Sequence, residues 1–201
     1  PANLIWLSVC FWLIKVVHEF AHAFACKKFG LESGSGGEVH TMGLMLLALM
    51  PVPYVDTTSS WALPSKWHRM WVGAAGMFVE LAVAAVAAIV YSVVTPGSLV
   101  AQLAYNVMFI AGLSTLLFNG NPLLRYDAYY MLSDYLEIPN LAQRSRGYLF
   151  FLIKRRVFGL KRIDDPTHSG SERRWFVPFA VASSIYRIFI SIKIILFVSC
   201  Q

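Results

Sequence analysis

Four apolar runs, from about Asn3 to Phe29, Trp67 to Val94, Leu99 to Phe118 and Trp175 to Cys200, set the terms on which this chain can fold. Each is about 20 residues or longer, the length an α-helix needs to cross the roughly 30 Å hydrocarbon core of a bilayer. Charged residues make up 14% of the 201 and hydrophobic ones 57%, too little polar side chain to coat a water-solvated domain. The fold expected is all-α: a polytopic membrane helix bundle of about four spans. A further stretch, 39–55, is apolar but broken by Pro51 and Pro53. Half a spanning length lies on each side of the break, which fits a re-entrant segment or β-hairpin better than a full crossing.

The net charge of +6 raises the question of nucleic acid, and the placement of the basic residues answers it. Ten of the 17 Lys and Arg lie between Arg125 and Arg174, Lys27 and Lys28 close the first run, and Lys66 and Arg69 open the second. The turn Thr95-Pro96-Gly97-Ser98 carries no charge. Under the positive-inside rule this puts the N-terminus and that turn outside and both long loops in the cytoplasm, with some attraction to anionic lipid and no nucleic-acid partner. Three parts follow: a core over 1–138, a basic cytoplasmic loop over 139–174, and a last span over 175–201 after which the chain is expected to continue. Ala21-His22-Ala23 formally satisfies a signal-peptidase rule, but a basic n-region is missing and polar residues interrupt the apolar stretch. The absent initiator Met suggests a piece of a longer chain. Cys10, Cys26 and Cys200 show no CxxC spacing, so neither a disulfide framework nor a thiolate metal site is indicated.

Ionisable groups inside a spanning helix cost a few kcal/mol each, about 3 on insertion scales, and are functional candidates for that reason. The first run holds His18-Glu19-Phe20-Ala21-His22, an HExxH sequence. Spacing i, i+4 sets both imidazoles on one helix face, where they can converge on one zinc ion, while Glu19 can reach a water at the open position. Lys27 lies nine residues after His18, so the metal would sit roughly 14 Å in from the cytoplasmic end. A cluster that merely ties helices together would use Ser, Thr or Asn at lower cost. Two His leave a tetrahedral site one protein ligand short. Asp56, Glu80 and Asp127 are the candidates. Asp127 is favoured because the broken segment from Asn119 to Asp127 can turn a carboxylate back into the bundle. Glu80, after Gly73 and Gly76, is the runner-up ligand and reads better as a helix-packing or substrate-path carboxylate. Asp56 reads as a loop or cap residue. His40 and Asp56 lie near the Pro-broken element as candidate gate residues, and His68 and His168 read as surface histidines.

HEFAH in the first span, followed about a hundred residues later by Asn-x-x-Pro-x-x-x-x-Asp, resembles the site-two protease family of intramembrane zinc metalloproteases. PVPYVD, NPLLRYD and YYMLSDYLEIPNL are similar to its bacterial peptide zinc metalloprotease branch, whose members can carry secretion-adaptor-like domains. The resemblance covers most of residues 5–140. It implies that His18, His22 and Asp127 bind one zinc ion, that Glu19 activates water, and that Asn119, with Asn121 as an adjacent competitor, helps hold the substrate backbone. It also implies a membrane-embedded protein or peptide substrate, an integral position in the bacterial inner membrane with the active site toward the cytoplasm, and an adaptor-like domain or subunit as a partner. The departure is Ala128, where the family pattern has Gly, a residue that permits a positive φ or a close backbone approach.

The expected activity is hydrolysis of a peptide bond in or near a membrane-spanning segment. The Pro-broken element offers either an edge on which an extended substrate adds a strand or a mere anchoring hairpin. A catalytically silent membrane subunit of a peptide export or adaptor assembly is the alternative. A metal transporter is disfavoured, because the polar residues converge on one point and no repeat is visible.

Overall fold

The computed structural model describes residues 2–47, 50–160, 165–167 and 169–199. Its architecture is all-α with one small sheet. Helix α1 (Ala2–Ser33) is followed by strands β1 (Met42–Leu47) and β2 (Met50–Val55), a short 3-10 turn and α2 (Lys66–Val93). Then come α3 (Leu99–Leu113), α4 (Asp127–Leu136), α5 (Leu141–Arg156) and α6 (Gly170–Ser199). Four helices, Asn3–Ser33, Lys66–Val93, Leu99–Asn119 and Glu172–Leu196, are long and apolar enough to cross a membrane. The chain divides into two compact units, Pro1–Tyr135 and Leu136–Gln201.

In the first unit α1 packs on α2 and α3 through a stripe that repeats every four residues: Cys10, Ile14, His18, His22 and Cys26 are all buried. Outside this stripe Leu4, Leu13, Val17, Phe20 and Phe24 are exposed, an outer surface suited to lipid. Two apolar clusters bracket the polar middle of the stripe. Cys10 and Ile14 pack with Ile110 and Ala111 of α3, and Cys26 packs with Leu63 and Val72. The ionisable residues of the stripe therefore sit between two apolar clusters.

Past α1 the chain must double back tightly, and glycine makes that possible. Gly37 has φ +80°, and a Cβ on it would lie 2.4 Å from the Gly30 Cα, so neither the backbone angle nor the space admits another residue. The hairpin follows, antiparallel, with Leu44 opposite Pro53 and Leu46 opposite Pro51. Asp56 N–H donates to the Thr41 carbonyl at 2.9 Å, which fixes the alternation: 54 and 52 face β1, while 55, 53 and 51 turn outward. Both prolines thus occupy positions whose N–H is not needed by the ladder, which explains how a strand accepts two of them. The stretch expected to be re-entrant is this hairpin.

Helix α3 starts at Ser98, whose Oγ accepts from Ala101 N–H at 3.2 Å. Its last turn widens into a π-helical turn over Ser114–Asn119, and Pro122 forbids continuation. After bends in which Asn121 Oδ1 accepts from Leu123 N–H at 2.9 Å, Asp127 opens α4.

In the second unit, the stretch expected to be a basic connecting loop is helical over Leu141–Arg156. Leu141, Ser145, Tyr148 and Phe151 are buried at helical spacing, and Arg144 donates to Glu172 of α6 at 2.8 Å. Its charges, counted alone, hide that stripe. Lys154, Arg155 and Arg156 fill its last turn, where cations suit the partial negative charge of the helix end. His168 and Cys200 lie outside the described residues.

Candidate metal centre

His18 and His22, one turn apart on α1, meet at 4.6 Å between ring centroids with planes at 79°. The Nδ1 of His22 is 2.7 Å from the Val72 carbonyl. A carbonyl only accepts, so Nδ1 is the donor, and in the neutral ring Nε2 is the atom left to accept. That Nε2 faces the Nε2 of His18 at 3.0 Å.

Asp127 arrives from α4, and the way α4 docks on α2 explains why. Asp127, Met131 and Asp134 share one helix face. Arg69 of α2 donates to Asp134 at 3.2 Å, and a Cβ on Gly73 would lie 3.1 Å from the Met131 side chain. Burial pushes the Asp134 carboxyl up, and the Arg69 guanidinium opposes this only in part. This seam swings the first residue of α4 over the histidines. Asp127 Oδ2 lies 3.2 Å from His18 Nε2 and Oδ1 lies 3.5 Å from His22 Nε2. Oδ2 is buried without a hydrogen-bond partner.

These three residues form a group able to hold a metal ion. The separations are informative: in a tetrahedron with zinc bonds of about 2.0–2.1 Å, neighbouring ligand atoms stand about 3.3 Å apart. The two nitrogens stand 3.0 Å apart, and the carboxylate approaches His18 through Oδ2 at 3.2 Å and His22 through Oδ1 at 3.5 Å, separations near that edge. A buried carboxylate oxygen without a hydrogen-bond partner is unfavourable as it stands, and a cation held between it and the two imidazole nitrogens would satisfy it. Burial disfavours the charged form of Asp127, yet the two imidazoles outweigh it and hold this carboxyl below its usual range, so it is ionised as a ligand must be.

Gly76 supplies the space. A Cβ there would lie 2.5 Å from His18 Cε1 and 2.5 Å from His22 Nε2. The backbone of α2 lies directly against both rings, which no other residue allows.

Glu19 is half-buried beside the pair. Its Oε2 accepts from Val55 N–H, the outward-facing donor of β2, at 3.1 Å. Glu80, the runner-up ligand, stands behind the site: Oε1 is 3.1 Å from His18 Nδ1 and 2.6 Å from Lys15 Nζ. Asn119 donates to Glu80 Oε2 at 3.3 Å, and Asn121 spends its side chain on the turn before α4. Asp56 accepts from Thr58 N–H at 2.9 Å, as a loop cap. His40 pairs with Glu38 at 2.8 Å on the surface. His68 is half-buried, its ring stacked on Phe29 at 4.6 Å. Ala128 lies within helical backbone, and the described non-glycine residues with positive φ are Glu137 and Asn140. Alanine therefore meets no backbone strain at this position.

Sequence reading missed Lys15 and the backbone of Val55. Lys15 had a signal, since a lysine inside a span needs a counter-charge and Glu80 is the only other acidic residue within the first three runs besides Glu19. Val55 had none, because a main-chain donor leaves no mark on residue identity. A cavity of about 720 Å³ opens nearby, its lining running from Phe20, Phe24 and Lys27 of α1 to Gly37, Val39 and Met42. No protein-family model matches this chain, and no curated protein or solved structure matches it.

Proposed function

We propose that this protein is a membrane-embedded zinc metalloprotease of the site-two type, cleaving a peptide bond in or near a membrane-spanning segment of a protein or peptide. The observation that carries this reading is the convergence of two imidazole nitrogens of a long apolar helix and a carboxylate of α4 at 3.0, 3.2 and 3.5 Å, with Glu19 next to His18 held by a backbone N–H. Charge supports it. Glu80 is matched by Lys15 at 2.6 Å, and the two further carboxylates, Glu19 and Asp127, beside the histidines make a setting that suits a divalent cation.

His18, His22 and Asp127 hold the ion. When bound, zinc supplies a Lewis acid for the scissile carbonyl and lowers the pKa of a bound water. Glu19 is the general base: with Oε2 held by Val55 N–H, Oε1 takes a proton from the attacking water and returns it to the departing amide nitrogen. The outer edge of β1, where the backbone groups of Met42, Leu44 and Leu46 face away from β2, accepts an unwound substrate as an added strand. A helical segment must open before its carbonyls can be reached, and the strand provides replacement hydrogen bonds. The positions of the basic segments support an active site toward the cytoplasmic side, and the family resemblance supports a bacterial inner membrane.

The test is purification of wild type and Glu19→Gln, measurement of zinc per chain, and assay against co-expressed membrane peptides. One zinc in both with cleavage by wild type alone is expected. Equal cleavage by both removes Glu19 from its role, and absence of zinc from both removes the site. Zinc without cleavage in wild type favours the silent subunit of a peptide export or adaptor assembly.

A further inference from the structure

Glu80 is 1% exposed in the middle of α2, and no step assigned so far uses it. Its two oxygens are shared among four side chains. Oε1 takes Lys15 Nζ at 2.6 Å and lies 3.1 Å from His18 Nδ1. Oε2 takes Thr115 Oγ1 at 2.5 Å and Asn119 Nδ2 at 3.3 Å. Lys15 also donates to Ser114 Oγ at 2.6 Å. Three of these partners, Ser114, Thr115 and Asn119, come from the π-helical turn, a winding that often marks a functional position in a helix.

We infer that Glu80, with Lys15 as its counter-charge, is the positioning residue for His18: it accepts Nδ1–H and thereby keeps the Nε2 lone pair turned to the metal. This rests on the metal centre proposed above. The two histidines need the same service and receive it differently. His22 has its tautomer set by the Val72 carbonyl at 2.7 Å. His18 Nδ1 is buried without a hydrogen bond, and Glu80 Oε1 at 3.1 Å is at the right distance, with only the angle falling short. Metal-bound histidines almost always donate their other N–H to a carboxylate or carbonyl, and loss of that partner commonly weakens metal affinity about 10–100-fold.

Lys15 explains how a third carboxylate is admitted. Alone, Glu80 would add a negative charge to a site that already holds Asp127 and Glu19. Paired with Lys15 it is electrically neutral and still offers Oε1 as an acceptor. A purely structural pair would behave otherwise under substitution, since replacing a buried ion pair by apolar residues of similar size is often neutral or stabilising. Metal affinity thus separates the two roles where stability does not.

The experiment titrates zinc, then cobalt, into metal-stripped wild type, Lys15→Met/Glu80→Leu and Lys15→Met/Glu80→Gln. The double variants avoid leaving either charge buried alone. Thermal unfolding midpoints are expected to stay near wild type in both. Zinc affinity falls about 10–100-fold in Lys15→Met/Glu80→Leu, and the cobalt visible absorption bands shift. Lys15→Met/Glu80→Gln, whose amide oxygen still accepts from Nδ1–H, returns to within about threefold of wild type with a wild-type cobalt spectrum. Equal zinc affinity and cobalt spectra across the three proteins overturn the assignment while leaving the metal centre standing. Absence of zinc binding in wild type overturns both.

Discussion

Helices α1 and α6 are both long and apolar, and both carry cations, yet they treat them differently. In α1, Lys15 reaches Glu80 and Ser114, 65 and 99 residues away in sequence, and His18 and His22 meet Asp127 from α4. In α6, Arg187 donates to the Ser183 carbonyl one turn back at 3.1 Å, and Lys193, exposed, sits over Phe189 at 5.6 Å. A lysine lying over a ring one turn back on its own helix asks little of the rest of the bundle. Groups that converge from four separate elements require those elements to be held in register, and that precision has a use. Hydropathy alone does not tell these two cases apart; the location of the partners does.

The sharpest way to break this contrast is at Gly76. Gly76→Ala places a methyl carbon on both imidazoles, so zinc content is expected to fall close to zero while helix content by circular dichroism stays near wild type. Retention of a full zinc equivalent would mean that the rings are not where the site needs them. Asp127→Ala comes next and is also expected to strip the metal. Glu80→Ala is expected to keep zinc at saturating concentration, with weakened affinity; the reverse pattern would make Glu80 the ligand.

A smaller effect is expected at the hairpin edge. Leu44→Pro removes an outward N–H from β1 and spares the ladder, as Pro53 opposite it already does in β2. Cleavage should slow about 5–10-fold, the worth of one hydrogen bond of about 1 kcal/mol, with zinc content unchanged. Met45→Pro, at a position that faces β2, should disrupt the hairpin instead. If both variants cleave at the wild-type rate, substrate does not add to β1. The smallest effect belongs to α6: Lys193→Leu should change unfolding free energy by no more than about 0.5 kcal/mol and leave zinc content untouched. A loss of metal there would erase the distinction between the two helices.

The four long helices were legible because apolar length is a one-dimensional property, and the HExxH pair because its geometry is local to one helix. The hairpin was half legible. Pro51 and Pro53 announced a break, but only the register shows that both lie on the outward side of β2. Asp127 stood among three candidates because choosing between them needs the α4 to α2 seam, in which Gly73, Met131, Arg69 and Asp134 take part. The Glu80 and Lys15 pair stayed hidden for the same reason, joining residues on different helices. Helix α5 was obscured by its own arginines, which fill the turns between its buried positions.

The most direct measurement is zinc K-edge X-ray absorption on the purified protein. One zinc per chain is expected, with nitrogen and oxygen neighbours at about 2.0–2.1 Å, two of them showing imidazole scattering, and no sulfur. A shell with sulfur at about 2.3 Å would move the metal to the cysteines, and a protein that holds no zinc after metal loading would contradict the central claim outright.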